Sequence, residues 1–250
     1  MNQFFNLTRF GRLLRKHSAE YATSYALGAA VLLGGMLVVM GFIAYVGGGL
    51  SRAGQGVLFI LFLLGAGSFF TSTVLGQFGV GSRAALALTL PASPFEKYLL
   101  AWVFSLPVFL VVFVADFYLA DWLIVSLSPS STLLNIFVRS DATATVLVVY
   151  LLVHGVALFG SIAFRQQQFI KTAFLFFAVA LLLGVGNYQI LRLLVASDIR
   201  VTLPFGSVNM LSGPSLGLPE ALEQQLVLPL LALIPLLWLA AYARLTEKQL

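Results

Sequence analysis

The sequence predicts an all-α polytopic membrane protein with six transmembrane helices, because of its composition, its apolar runs and the placement of its basic residues. Hydrophobic residues fill 60% of the 250 positions and charged residues only 9%, whereas about 25% of the residues in a typical soluble domain are charged. The mean hydropathy is +1.00. This composition argues against a water-soluble domain.

Six apolar runs each approach the roughly 20 residues that a helix needs to cross the hydrocarbon layer of a bilayer. The predicted spans are residues 24–46, 57–78, 99–119, 145–164, 172–194 and 227–243. Together they form a predicted transmembrane domain over residues 23–250. Because the number of spans is even, both termini lie on the same side of the membrane.

Basic residues cluster on one side of this predicted topology. The termini and loops on that side hold Arg9, Arg12, Arg15, Lys16, Arg83, Lys97, Arg165, Lys171, Arg244 and Lys248. The opposite loops hold only Arg52, Arg139 and Arg200. By the positive-inside rule, both termini are cytoplasmic. The pI of about 9.7 thus reflects topology, and no nucleic-acid partner is predicted, because such binding needs basic residues interleaved on a solvent-exposed face.

Residues 1–22 are predicted to form an amphipathic helix that lies in the membrane interface. Phe4, Leu7, Gly11 and Leu14 recur at helical spacing, while the basic residues gather elsewhere on the helix. This pattern is typical of an interfacial helix. The alternative is a basic flank that only sets the orientation of the first span.

The longest outward loop, residues 196–226, is predicted to be a broken extracellular segment. It is rich in proline and glycine and ends in Glu220-Ala-Leu-Glu-Gln-Gln, which indicates turns followed by a short helix before the sixth span. Its moderately apolar pieces either dip back into the membrane or run over the surface.

No motif predicts catalysis, a metal site or a cofactor bound by this chain. The run from Gly76 to Arg83 has the glycine spacing of a phosphate-binding loop, but Ser82 stands where the lysine is needed. Ser68 and His154 are candidates for a nucleophile and its base, yet no Gly-x-Ser-x-Gly motif accompanies them. The chain has no cysteine, and its two histidines lie on different segments. The sequence therefore does not predict an enzyme.

Polar residues inside the spans are candidates for a pathway or for helix fastening: Asp116, Asp121, His154, Asn187 and Arg192. A charge at membrane depth costs at least about 2.5 kcal/mol unless it is paired or hydrated. Asp121 and Arg192 have similar predicted depths, so they either pair or are solvated at the interface. Asp116, one turn deeper, either lines a polar pathway or bonds to Asn187 or His154.

A short polar stretch, Leu88-Thr-Leu-Pro-Ala-Ser-Pro-Phe-Glu-Lys-Tyr-Leu, joins the second and third predicted spans. Pro91 and Pro94 interrupt the preceding helix, Ser93 is a good N-cap, and Glu96 in the first turn complements the helix dipole. These residues predict a short helix across the cytoplasmic face. The alternative is a plain capped start of the third span with no partner.

This Leu-Pro-x-Ser-x-x-Glu pattern with an adjacent lysine, placed in a six-span topology, resembles the coupling segment of permease subunits from ABC transporters of the ABC-2 type. The motif is short, while the resemblance in architecture covers the whole chain. It implies that residues 82–98 dock on a separate ATP-binding subunit, with Phe95 as an anchor and Glu96 or Lys97 at the rim. The implied coupling residues are Leu90, Pro91, Ser93, Phe95, Glu96 and Lys97.

The resemblance also implies a half-transporter, most often an exporter, in the inner (plasma) membrane of a bacterium. Two copies of this chain, or this chain and a similar one, would form the pathway, and ATP and magnesium would bind to the partner subunit. Two alternatives come from other classes. One is a scaffold or sensor that docks an ATPase without transport, and the other is an ion-coupled secondary transporter that uses Asp116.

Overall fold

A computed structural model describes residues 4–74, 92–127, 132–135, 140–164, 166–195 and 220–247. Over these residues the secondary structure is helical and includes no strand. The helices are α1 (Leu7–Gly47), α2 (Arg52–Val74), α3 (Pro94–Val103), α4 (Phe109–Leu127), α5 (Ser140–Ala163), α6 (Gln168–Val195) and α7 (Glu220–Glu247). The all-α prediction is confirmed for this part of the chain.

Among the described residues, five helices are long and apolar enough to cross a membrane. They are Leu7–Gly47, Arg52–Val74, Pro94–Leu127, Thr143–Ala163 and Gln168–Leu194. The sixth predicted span, residues 227–243, lies inside α7, and its crossing of the membrane stays a prediction. The cytoplasmic location of both termini also stays a prediction.

The first helix differs from the expected arrangement, because the predicted interfacial helix and the first span form one helix. α1 has 41 residues, which corresponds to a length of about 60 Å at 1.5 Å per residue. No proline or glycine interrupts residues 12–27, so nothing in the local sequence breaks the helix near residue 22. The Asn6 side chain accepts hydrogen bonds from the amides of Thr8 and Arg9 at the N-terminus of α1.

The third helix starts at the predicted cap, Ser93, but helical structure then runs without a gap from Pro94 to Leu127. The separate short helix predicted from the sequence is therefore not observed, and the helix is distorted at its proline. Ser93 caps α3, and Ser93 and Glu96 form a capping box in which each side chain bonds to the other residue's backbone amide. Between α3 and α4 lies a π-helical turn, Phe104–Val108, which contains Pro107. The proline ring has no amide hydrogen to donate and crowds the preceding turn, which accounts for the local widening of the helix.

Aromatic side chains and close helix contacts form the core. Phe113 and Phe117 of α4 are fully buried, and both contact Phe59 of α2. A Cβ atom on Gly67 of α2 would lie only 2.6 Å from the ring of Tyr150 in α5. Glycine therefore allows α2 and α5 to approach closely, as in other helix pairs within bilayers.

The helix α6 has a different environment from the core helices. Of its described side chains, only Thr172 is buried. Thr172 lies against Gly160 of α5, where a Cβ atom would overlap its side chain. Most of the α6 surface is apolar and exposed, which suits contact with lipid or with another membrane helix.

Candidate functional site

The start of α3 and the N-terminal end of α1 form a hydrogen-bonded unit, which we call the N-terminal joint (residues 4–9 and 93–97). Glu96 lies at its centre with no exposed surface. Its Oε2 accepts from Nε of Arg9 at 2.7 Å and from the Ser93 amide at 3.1 Å. Its Oε1 accepts from a terminal nitrogen of Arg9 and from the backbone amide of Asn6, both at 2.8 Å. Each carboxylate oxygen thus accepts two hydrogen bonds, and the arginine contact is bidentate.

Aromatic rings cover the other side of the joint. Phe4 stacks on Phe95 with ring centroids 5.0 Å apart, and Phe5 meets the same ring edge-on at 6.0 Å. Tyr242 of α7 also approaches Phe95 edge-on at 6.0 Å. The Ser93 hydroxyl donates to the Phe4 carbonyl at 2.6 Å. The joint therefore ties α1, α3 and α7 together at one end of the bundle.

Two side chains expected at the rim of a partner interface, Glu96 and Lys97, are buried in the structure. Glu96 is fully buried and Lys97 is only 4% exposed, so in this structure neither forms an exposed rim. Phe95 is half-buried beneath the N-terminal phenylalanines. Glu96 can be buried because Arg9 and the backbone amide of Asn6 donate hydrogen bonds to its carboxylate. Leu90 and Pro91 lie outside the described residues.

Sequence reasoning missed Arg9 and Asn6 as partners of Glu96. Asn6 is a favoured N-cap residue, and its position before an apolar run signals the start of a helix. No spacing rule connects residues 9 and 96, however, because the contact depends on how two separate helices pack. The sequence alone shows the carboxylate and the guanidinium but not their pairing.

A second polar unit lies at the π-helical turn. Nδ1 of His154 in α5 accepts from the indole nitrogen of Trp238 in α7 at 3.2 Å. Nε2 of His154 lies 3.0 Å from the hydroxyl oxygen of Ser105. Because an indole nitrogen only donates, Nδ1 must be the acceptor, and in the neutral ring Nε2 then carries the proton and donates to Ser105. The hydroxyl of Tyr150 donates to the Ser105 carbonyl at 3.4 Å.

This arrangement gives His154 a fastening role in the described bundle. A general base would need a free lone pair directed at the serine oxygen, but the His154 nitrogen that faces Ser105 is a donor. Ser68, the candidate nucleophile in the sequence, donates its hydroxyl hydrogen to the Leu64 carbonyl. His154 thus connects the π-helical turn with α5 and α7, and it does not pair with Ser68 or Asp116.

The remaining intramembrane candidates do not converge. Asp121 is fully buried and accepts from the Leu134 amide at 3.0 Å, while Arg192 is exposed on α6. The Asp121–Arg192 pair considered from the sequence is therefore not formed. Asp116 is half-buried, and its Oδ2 has no hydrogen-bond partner among the described residues. Asn187 is half-buried on α6.

An apolar cleft of about 460 Å³ opens between α1, α2 and the π-helical turn. Tyr25, Gly28, Phe70 and Phe104 are among its lining residues. None of the polar residues predicted to line a pathway is among those residues. Within the described ranges, no three His, Cys, Asp or Glu side chains cluster in a way that would hold a metal ion.

Comparisons with protein-family models, with curated proteins and with solved structures find no match to this chain. The class of protein therefore rests on the fold and on the composition of its helices. Several long apolar helices packed around an aromatic core indicate a multi-pass membrane protein.

Proposed function

We propose that this chain is the permease subunit of an ABC transporter of the ABC-2 type, an exporter in the inner membrane of a bacterium. In this proposal two permease chains form the translocation pathway, and a separate subunit binds and hydrolyses ATP. The observation that carries the proposal is the N-terminal joint, in which Glu96 connects the segment expected to couple with the ATPase to the first helix.

The joint supports coupling because it would transmit a displacement to two helices at once. A partner that moves the start of α3 also moves α1, since Glu96 bonds to both Arg9 and Asn6. The π-helical turn at Pro107 lies about two to three helical turns further along, at a rise of 1.5 Å per residue. A helix distorted at this point bends more readily than a regular one. Binding of ATP by the partner would then shift the population between two arrangements of the bundle.

The burial of Glu96 and Lys97 changes which surface we propose for docking. Phe4 is 58% exposed and Leu7 is 75% exposed, and both belong to the N-terminal joint. We therefore propose that the ATP-binding subunit contacts residues 82–92 together with these two apolar side chains. Exposed apolar residues beside a polar rim are a common feature of protein interfaces.

One observation favours a second candidate, the ion-coupled secondary transporter. Asp116 keeps a carboxylate oxygen without a partner among the described residues, and unpaired carboxylates within membrane helices often mark ion pathways. A scaffold that docks an ATPase without transport shares the joint and differs only in lacking a cargo. The ABC permease accounts for both the capped helix and its link to α1, so we prefer it.

Affinity purification tests the proposed partner directly. The tagged chain would be co-expressed with candidate ABC ATP-binding subunits from the same genome, as wild type and as Leu7→Asp. We expect wild type to retain one ATPase and Leu7→Asp to retain less, because a charge would replace an exposed apolar contact. Glu247→Gln, which removes an exposed ion pair at the end of α7, is the matched control and should behave like wild type. Failure of wild type to retain any ATPase would refute the proposal.

A further inference from the structure

The packing of α2 against α4 places Gln55 and Asp121 at the same end of the bundle. The two helices are antiparallel, since Phe70 contacts Phe109 while Phe59 contacts Phe117. Gln55 lies one turn before Phe59, and Asp121 lies one turn after Phe117, so antiparallel packing brings their side chains to the same level. Both side chains are fully buried.

A short segment outside the helices, residues 132–135, forms hydrogen bonds with both side chains. The Gln55 amide nitrogen donates to the carbonyls of Thr132 at 3.0 Å and of Leu50 at 3.3 Å. Asp121 Oδ2 accepts from the Leu134 amide at 3.0 Å. Because the two amide hydrogens of Gln55 go to carbonyl oxygens, its Oε1 is left as an acceptor.

Two acceptor oxygens therefore remain without a donor. Oε1 of Gln55 and Oδ1 of Asp121 are both buried, and neither has a hydrogen-bond partner within the described part of the chain. Their surroundings are apolar, with Leu50, Phe117 and Ile124 in the same buried cluster. An ionised carboxylate with a single hydrogen bond is costly in such a place, and a second bare acceptor beside it adds to the cost.

We propose that Gln55 and Asp121 form a proton-binding site, in which Asp121 is a carboxylic acid that donates its Oδ1 hydrogen to Oε1 of Gln55. One proton then satisfies both unpartnered oxygens and joins α2 to α4. Oδ2 remains free to accept from Leu134, as observed. The site requires no assumption about an ATPase partner, so it stands or falls independently of the proposed transport function.

No charged side chain described near the site pairs with Asp121, so a proton is the species that best satisfies its carboxylate. On α2, Arg52 donates through Nε to the Thr132 hydroxyl at 2.9 Å and is exposed. On α1, the residues at this level are apolar and include Met40 and Gly41. A Cβ atom on Gly41 would lie 3.4 Å from the Ile124 side chain. Within the described ranges, no titratable side chain of α1, α2 or residues 132–135 forms an ion pair or hydrogen bond with Asp121. Release of the proton would leave two acceptor oxygens without a donor between them and weaken the contact of α2 with α4.

Infrared spectroscopy of the purified full-length protein tests this site, because a protonated carboxyl and a carboxylate absorb at different frequencies. At neutral pH we expect a carboxylic-acid band that disappears in Asp121→Asn and persists in Asp116→Asn, the matched control on the same helix. Gln55→Met, which keeps the length of the side chain but removes the acceptor oxygen together with both amide donors, should shift that band. Asp121→Asn should keep wild-type thermal stability, since its amide can donate to Gln55 in place of the acid.

Either of two results would overturn the proposal. A wild-type spectrum without a carboxylic-acid band assignable to Asp121 would mean that the group is ionised and is neutralised by a cation. A band that is insensitive to Gln55→Met would mean that Gln55 is not the acceptor. If Gln55→Met does not fold, the comparison of wild type with Asp121→Asn and Asp116→Asn still decides the protonation state.

Discussion

Arg9 and Glu96 hold the N-terminal end of α1 against the start of α3, although 87 positions separate them in the sequence. Two nitrogens of one guanidinium meet the two oxygens of one carboxylate, at 2.7 and 2.8 Å. The backbone of Asn6 and Ser93 fills the remaining acceptor positions. The other ion pair among the described residues, Arg244–Glu247, is a surface contact within α7. Among the ion pairs between described residues, the one at the N-terminal joint is therefore the one that connects two helices.

Substitution at Gly67 should reveal how closely α2 and α5 approach. Gly67→Ala would place a methyl group 2.6 Å from the Tyr150 ring, and overpacking of this kind costs about 1–3 kcal/mol. Gly65→Ala is the control on the same helix, because no atom lies within 4 Å of the added methyl. We expect a lower Tm in detergent for Gly67→Ala and an unchanged or slightly higher Tm for Gly65→Ala. Equal effects of the two substitutions would contradict the close contact.

The hydrogen bond between Trp238 and His154 should stabilise the fold, because His154 also bonds to Ser105 and so connects three segments. His154→Leu leaves the Trp238 indole nitrogen without its observed acceptor, which should cost about 1–3 kcal/mol. Trp238→Phe removes the donor. In a double-mutant cycle read by thermal or denaturant unfolding, the combined variant should lose less stability than the sum of the single variants. Strict additivity would show that the two side chains are not coupled.

The predicted topology can be tested because the chain has no cysteine. Leu127→Cys would place a thiol at the exposed end of α4, and Glu247→Cys would place one at the exposed end of α7. With a membrane-impermeant maleimide on intact cells, we expect labelling at position 127 and none at position 247. Permeabilised cells should show labelling at both positions. The reverse pattern on intact cells would mean that the basic residues face outward.

The sequence predicts the parts of this fold that depend on neighbouring residues. Apolar runs of sufficient length indicate the membrane helices, and Ser93 is predicted as an N-cap, which is observed together with a capping-box bond from Glu96. Pro107 indicates a distortion of the third helix, which is found as a π-helical turn. The interfacial helix over residues 1–22 and the first span are predicted as separate segments, whereas the described residues of both belong to the single helix α1.

Contacts between distant segments could not be predicted in the same way. His154 is identifiable as a polar residue in an apolar helix, but its partners Ser105 and Trp238 come from two other helices. Asp121 was considered beside Arg192 because their predicted depths agree. Depth gives no information about the direction of a side chain around a helix, and the structure orients Asp121 toward Leu134 instead.

If the N-terminal joint couples this chain to an ATP-binding subunit, disruption of the Arg9–Glu96 ion pair should weaken binding of that subunit. The most direct test measures how much ATPase co-purifies with wild type, Arg9→Glu, Glu96→Arg and the charge-swapped double variant, each checked for monodispersity in detergent. We expect retention by wild type, loss in each single variant and partial recovery in the double variant, whose ion pair is restored but whose capping box is not. Equal retention by all four forms, or no retention by wild type, would contradict this coupling.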